Sequence, residues 1–345
     1  MKTRLLAREH FLPIPAANGN TASGAFALFS NTTGADNTAI GDVALEANTT
    51  GASNIAIGVA ALATNTSGSS NTAIGFDALL SNTIGEFNTV IGWSALNANT
   101  IGSHNTATGV GALSSNVGAS FNTANGNGAL MSVVANNNNT ATGYLALGNS
   151  TGSNNTALGA FAGSNVITAN NVICIGANLG GADTSNTCFI GNIFGVTSSG
   201  GAAVFINSAG QLGTATSSRR FKEDIKPMNK ASEALFALEP VTFRYKKEID
   251  SAGTSQFGLV AEQVEEINPD LVVRDKNGKP YSVRYDQVNA MVLNEFLKEH
   301  RKTQKLEATV AQQQKQIDAL TAGLQKVSAQ LEASRSAPQV ADSDY

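Results

Sequence analysis

Residues 37–53 read NTAIGDVALEANTTGAS, and close variants of this unit stand on either side of it. Gly24, Gly41, Gly58, Gly75, Gly92, Gly109, Gly126 and Gly143 recur every 17 residues, and Gly159, Gly176 and Gly191 follow at 16, 17 and 15. A fixed period of this length marks a solenoid, in which each coil packs only on its neighbours. Asn37, Asn54, Asn71, Asn88, Asn105, Asn122, Asn139 and Asn155 hold one column, and Leu45, Leu62, Leu79, Leu96, Leu113 and Leu130 hold another. The alternation in Asn-Thr-Ala-Ile-Gly predicts a short strand with one face inward, closed by a glycine that permits a turn or close backbone approach. Stacked asparagines can hydrogen-bond along such a ladder. The inward residues are expected to be mostly Ala and Ile, so one chain builds a thin core and is suited to assembly with its own copies.

Charge divides the chain sharply. Between positions 10 and 216 there is no Lys or Arg, and the acids are Asp36, Asp42, Glu46, Asp77, Glu86 and Asp183. The remainder from Arg219 onward holds 19 of the 22 bases and 19 of the 26 acids, so the net charge of −4 belongs to the repeat half. A surface without bases cannot track phosphates, which argues against nucleic acid as a partner.

Cys174 and Cys188 are too few for a disulfide scaffold and are not spaced as a zinc site. They occupy different offsets from the repeat glycine, so their side chains are expected on different faces. Three histidines, His10, His104 and His300, are scattered, and no metal or cofactor motif stands out. The start, MKTRLLAREHFLPIPAANG, has early bases but a broken apolar run, a poor secretory signal. No stretch of about 18 apolar residues suggests a membrane span.

After Gly191 the repeat dissolves. Val204–Ile206 reads as a last strand, with a turn at Ser208–Gly213. Further on, residues 232–238 suggest a helix stopped by Pro240. Residues 241–245 and 256–260 read as strands, 261–267 as a helix, and 271–273 with 281–284 as a hairpin around Asn277-Gly278. From about Asp286 a long helix is expected. Along it Leu306, Val310, Gln313, Ile317, Leu320, Leu324, Val327 and Leu331 follow at spacings of 4 and 3, a coiled-coil seam with one polar layer at Gln313.

Two resemblances add to this reading. The NTAIGxxAL units over about residues 20–195 resemble the head repeats of trimeric autotransporter adhesins, which implies a parallel β-roll with three copies about one axis. The blocks SSRRFKEDIKPM, SEALFALEPVTFRY, QFGLVAEQVEEINPDLVV and VRYDQVNAMVLNEFLKE resemble, over about residues 217–332, the intramolecular chaperone and auto-processing domain of phage endosialidase tailspikes and other trimeric fibres. That resemblance implies a catalytic Ser–Lys dyad in an S-x-x-x-x-K string, here Ser217 and Lys222, with the cut among Thr216, Ser217 and Ser218. Ser218 stands where the family often has Asp, and competes as nucleophile; Phe221 stands where Leu is common. Without a histidine partner, a neutral lysine can activate a serine if burial or nearby positive charge lowers its pKa, and Arg219 and Arg220 adjoin it.

The combined expectation is a mostly β homotrimer. Its segments are 1–19, a β-solenoid at 20–195, a junction at 196–216, an α+β chaperone at 217–285, a trimeric coiled-coil helix at 286–334 and a disordered tail at 335–345. The chaperone drives trimerisation and then releases itself by one cut per chain, with no cofactor. The setting is a cell surface or virion appendage, and the repeat head takes a receptor or cell-surface ligand. The alternatives are an uncut fibre with a permanent trimerisation tail, and an ice-binding solenoid built on Thr38, Thr72, Thr89, Thr106, Thr123 and Thr140. Ile55 breaks that threonine row.

Overall fold

The computed structural model describes residues 4–6, 18–195 and 198–335. The parts of the expected N-terminal segment at 1–3 and 7–17, and the expected tail at 336–345, lie outside these residues. The chain divides into two units, 1–198 and 199–345.

The first unit is a parallel β-solenoid. Its strands are β1 Arg4–Leu6, β2 Thr21–Ser23, β3 Thr38–Ile40, β4 Ile55–Ile57, β5 Thr72–Ile74, β6 Thr89–Ile91, β7 Thr106–Thr108, β8 Thr123–Asn125, β9 Thr140–Thr142, β10 Thr156–Leu158, β11 Ile173–Ile175 and β12 Cys188–Ile190. They form one sheet in sequence order, and each residue pairs with its equivalent one coil on, as Ala39 with Ala56. The register survives the 16-residue coil, where Thr140 pairs with Thr156.

From β2 to β12 only the middle residue of each strand points inward. Ala39, Ala56, Ala73, Val90 and Ala107 are buried, while Ile40 and Ile91 are exposed. The expectation that Ile shares the interior is therefore corrected: successive side chains in a strand take opposite faces, so adjacent Ala and Ile cannot both be inside. The interior is completed by Leu45, Leu62, Leu79, Leu96, Leu113, Leu130 and Leu147 and by the alanines that precede them. These leucines adopt positive φ, 51° at Leu45 and 52° at Leu62. That backbone is costly for a branched residue, and stacking against the equivalent turn of the next coil offsets it. The row Thr38–Ile55–Thr72–Thr89 does face outward, interrupted by Ile55 and again by Ile173, beside a second row rich in Ile.

Two buried asparagine ladders run along the interior. In the expected one, Asn54 Oδ1 accepts from the backbone N–H of Asn71, and Asn54 Nδ2 closes its own coil by donating to the carbonyl of Gly68 at 2.9 Å. The sequence reading overlooked the second, in which Asn65 Nδ2 donates to Asn48 Oδ1 at 2.8 Å and to Gly68 O at 2.9 Å. This second column ends at Asn116, where Val133, Ser150 and Val166 take over the buried position. Among the described residues no buried side-chain nitrogen or oxygen lacks a partner, so the polar interior carries no uncompensated desolvation.

The glycine after each strand from β2 to β10 is a packing requirement. Gly109 has φ +121°, and a Cβ there would lie 2.6 Å from the carbonyl carbon of Gly126 in the next coil. Cys174 is buried and Cys188 exposed, on opposite faces of neighbouring strands as expected.

The second unit begins with β13 Val204–Ile206 and β14 Leu212–Thr214, an antiparallel pair. The turn expected at Ser208–Gly213 is accordingly shorter, because Asn207 Oδ1 gathers the N–H groups of Ala209 and Gln211 and returns the chain early. The helix expected at 232–238 is a 3₁₀ helix at Asn229–Ala237. Strands β15 Val241–Phe243 and β16 Gln256–Gly258 pair antiparallel, as do β17 Val272–Arg274 and β18 Pro280–Val283. Leu271 belongs to a short 3₁₀ turn, Pro269–Leu271, because Asn268 caps that turn with its side chain. Helix α1 spans Ala261–Ile267 and helix α2 Tyr285–Arg335. Val264, Leu271, Val272, Val283 and Met291 form a small core that holds the base of α2 to the strands. Among the described residues no helix is long and apolar enough to cross a membrane.

Candidate functional site

The string Ser217-Ser-Arg-Arg-Phe-Lys222 owes its shape to one tight turn. Ser218 is extended, Arg219–Phe221 forms a single 3₁₀ turn, and Lys222 is extended again. The N–H groups of Phe221 and Lys222 donate to the carbonyls of Ser218 and Arg219, both at 3.1 Å. The turn shortens the path between positions five apart, so the flexible lysine stem reaches back. Lys222 Nζ donates to Ser217 Oγ at 3.1 Å. Serine and lysine are thus in contact through local structure alone.

Of the flanking residues, Thr216 and Ser218 lie exposed on either side of Ser217, Ser218 in extended backbone. The guanidinium of Arg220 sits over the Phe221 ring, 4.5 Å from its centroid, a cation–π contact within the turn. Ser217 and Lys222 are themselves exposed in the single chain. A lysine acts as a base only in its neutral form, which desolvation or adjacent cations favour. Arg219 and Arg220 adjoin Lys222 in sequence, but the cover that would exclude water is not supplied by this segment.

A second Ser–Lys contact, invisible in the sequence, lies between the 3₁₀ helix Asn229–Ala237 and α2. Ser232, fully buried, donates to Glu295 Oε1 and accepts from Asn294 Nδ2 at 2.6 Å, with Lys298 Nζ 3.4 Å away. Lys298 is also ion-paired with Glu295 at 2.6 Å. The Lys298 hydrogen bond, then that of Ser232, holds the Glu295 carboxyl below its ordinary value, against a smaller opposing effect of burial. Lys298 is engaged by the Glu295 carboxylate, and a wholly buried serine has no room for a peptide carbonyl. This cluster is a structural tie between two helices, not a rival nucleophile. The partners are more than 60 residues apart, so no local pattern announces them.

Elsewhere the second unit holds a cleft of about 170 Å³ lined by Ala237, Leu238, Leu259, Val260, Gln263 and Ile267 among others, which includes neither Ser217 nor Lys222. Among the described residues no group of three or more His, Cys, Asp or Glu is arranged to hold a metal ion. Along α2, Leu306, Val310, Ile317, Leu320, Leu324, Val327 and Leu331 are exposed, Leu320 at 69% and Leu324 at 68%. A long helix with an uncovered apolar stripe is built to meet other helices.

Residues 217–273 match the family model described as chaperone of endosialidase, a segment that begins at Ser217 and contains Lys222. No curated protein and no solved structure matches the chain.

Proposed function

We propose, from a chaperone-of-endosialidase segment standing behind a β-solenoid, that this chain is a trimeric fibre protein of a cell surface or virion whose C-terminal domain assembles it and then cuts itself away. The observation that carries the reading is the 3.1 Å contact of Lys222 Nζ with Ser217 Oγ at the first residues of that segment. In the proposed reaction Ser217 Oγ gives its proton to neutral Lys222 and attacks the carbonyl carbon of Thr216. The peptide C–N bond breaks, the released amine takes a proton from the lysine, and water then opens the Thr216 ester and restores the hydroxyl. Each chain reacts once.

Exposure of the pair in the single chain bears directly on this chemistry. Desolvation that makes lysine a base has to come from neighbouring copies, so the reading couples cutting to assembly. The uncut fibre with a permanent tail is the second reading, favoured by the same exposure if assembly leaves the turn in water.

Intact masses under denaturing conditions decide between them. The full chain should split beside Ser217, while Ser217→Ala and Lys222→Ala should each remain at full mass; one uncut mass in all three sinks the autoprotease and leaves the fibre.

A further inference from the structure

The turn that carries the dyad is basic and apolar at once. Arg219, Arg220 and Lys222 surround Phe221 in sequence, and the Phe221 ring is 58% exposed with the Arg220 guanidinium over one face. None of these three bases forms an ion pair among the described residues. The cleft beside α1 has the complementary character. Leu238, Leu259, Val260 and Ile267 give it an apolar wall, and Glu239 and Glu266 stand among its lining residues. Both carboxylates are exposed and neither forms an ion pair among the described residues, whereas Glu265 of the same helix is taken by Arg274. Its volume of about 170 Å³ suits a single phenyl ring, since an apolar cavity of about 150 Å³ holds benzene.

Charge selects the occupant. Of the exposed phenylalanines described in this unit, Phe205, Phe221, Phe236, Phe257 and Phe296, only Phe221 has a base next to it. Tyr245 also stands between bases, but its ring is engaged edge-on by Phe243. An arginine keeps its charge and can grip a carboxylate with two parallel hydrogen bonds, so the Arg220–Phe221 pair offers a ring for the wall and a guanidinium for the acids. In its own chain the ring stays outside the cleft, which it does not line. A neighbouring copy can supply the same turn, and in a cyclic assembly a contact of turn into next cleft closes on itself. Such docking sets an apolar wall beside Lys222 and takes water away from it.

We infer that the cleft lined by Leu238, Leu259 and Ile267 receives the Arg220–Phe221 pair of a neighbouring copy and so completes the Ser217–Lys222 site from outside the chain. The inference rests on the autoprotease reading above, and a mixture of two variants tests the two apart. Ala237→Phe fills the cleft, whose lining includes Ala237, and leaves the dyad and every charge in place. Ser217→Ala removes the nucleophile and leaves the cleft open. Each full chain is produced alone and then together, the Ser217→Ala chain carrying an N-terminal tag through which mixed oligomers are isolated before intact masses are read. Alone, both variants should stay at full mass. In the mixed oligomers the Ala237→Phe chain should be cut beside Ser217 wherever its neighbour offers an open cleft, and that rescue also shows that the variant folds. An Ala237→Phe chain that is cut alone as fully as the parent, or that stays uncut in mixed oligomers, overturns the role of the neighbour's cleft while leaving the autoprotease standing. A parent chain that is itself never cut overturns the autoprotease and this inference with it, as does a tagged chain that carries no partner.

Discussion

Gly109 and Gly111 are two residues apart and carry opposite expectations. Alanine at Gly109 would force a side chain onto a backbone at φ +121° and against the carbonyl of Gly126, at a cost of at least about 1–3 kcal/mol. Gly111 also has positive φ, +64°, yet a Cβ there meets nothing within 4 Å, and equivalent positions hold Ser94 and Ala60 in the same conformation. Gly111→Ala should change stability by about 1 kcal/mol or less. Thermal melts of the two variants, followed by circular dichroism, should separate them clearly. Asp183 supplies a second prediction at this scale. Its Oδ1 accepts from the N–H groups of Ala169, Thr168 and Ile167, and its Oδ2 from the Thr168 hydroxyl. In an earlier coil the carbonyl of Thr49 takes the same set from Thr32, Thr33 and Gly34. Asp183 therefore ends the ladder where the next coil no longer offers a carbonyl. These bonds, that of Ala169 foremost, hold its pKa below the ordinary 3.8, with a smaller opposing effect of burial. A depressed carboxylate pKa stabilises the fold fully above the ordinary value, and the contribution is lost as pH falls through the lowered one. The acid limb of a melting-temperature profile below about pH 4 should flatten in Asp183→Asn; an unchanged limb would show that this cap does not govern acid stability.

The long helix shows how an element can be complete in its hydrogen bonds and incomplete in its packing. Helix α2 is anchored at its base by Met291 and Val288 in the small core and by the Ser232–Glu295–Lys298 tie, but the seam from Leu306 to Leu331 has no cover in one chain. A helix of this length in water draws most of its stability from an apolar face buried against partners. Leu320→Asp places a charge in the middle of that seam, and sedimentation should show loss of the oligomer. The same substitution at Gln312, which lies away from the seam in that spacing, should leave association intact. If Leu320→Asp remains oligomeric, the seam is not the assembling surface. The 4–3 spacing made the seam legible in advance. The tie at its base was not, because residues 232 and 295 come together only when the 3₁₀ helix packs on α2.

For the whole molecule the problem is kinetic. A solenoid pairs residues one coil apart along many coils, and copies that must also share a register start slowly, whereas a helix forms locally and fast. In the proposed assembly, helices joined early would hold the chain ends at high effective concentration while the coils zip together. Release of that clamp should leave the shaft stable only kinetically. The cut shaft, once unfolded in denaturant and diluted, should therefore fail to regain its sheet signal, while uncut Ser217→Ala chain should recover it. Equal recovery of both would mean that the tail is not needed for folding.

The seventeen-residue period, the strand in each coil, the first asparagine column and the reach of Lys222 to Ser217 all follow from residues close in sequence, whose geometry neighbouring backbone sets. Which of Ala39 and Ile40 enters the interior was not decided there, because both are apolar and adjacent, and only closure of the coil fixes which face of the strand is enclosed. The second asparagine column at Asn48 and Asn65 was present in the sequence but acquired its role only when the coils stacked. Asp183 as the end of a carbonyl ladder, and Ser232 as the partner of Glu295, likewise exist only in the folded chain, since their hydrogen bonds join groups that sequence keeps apart.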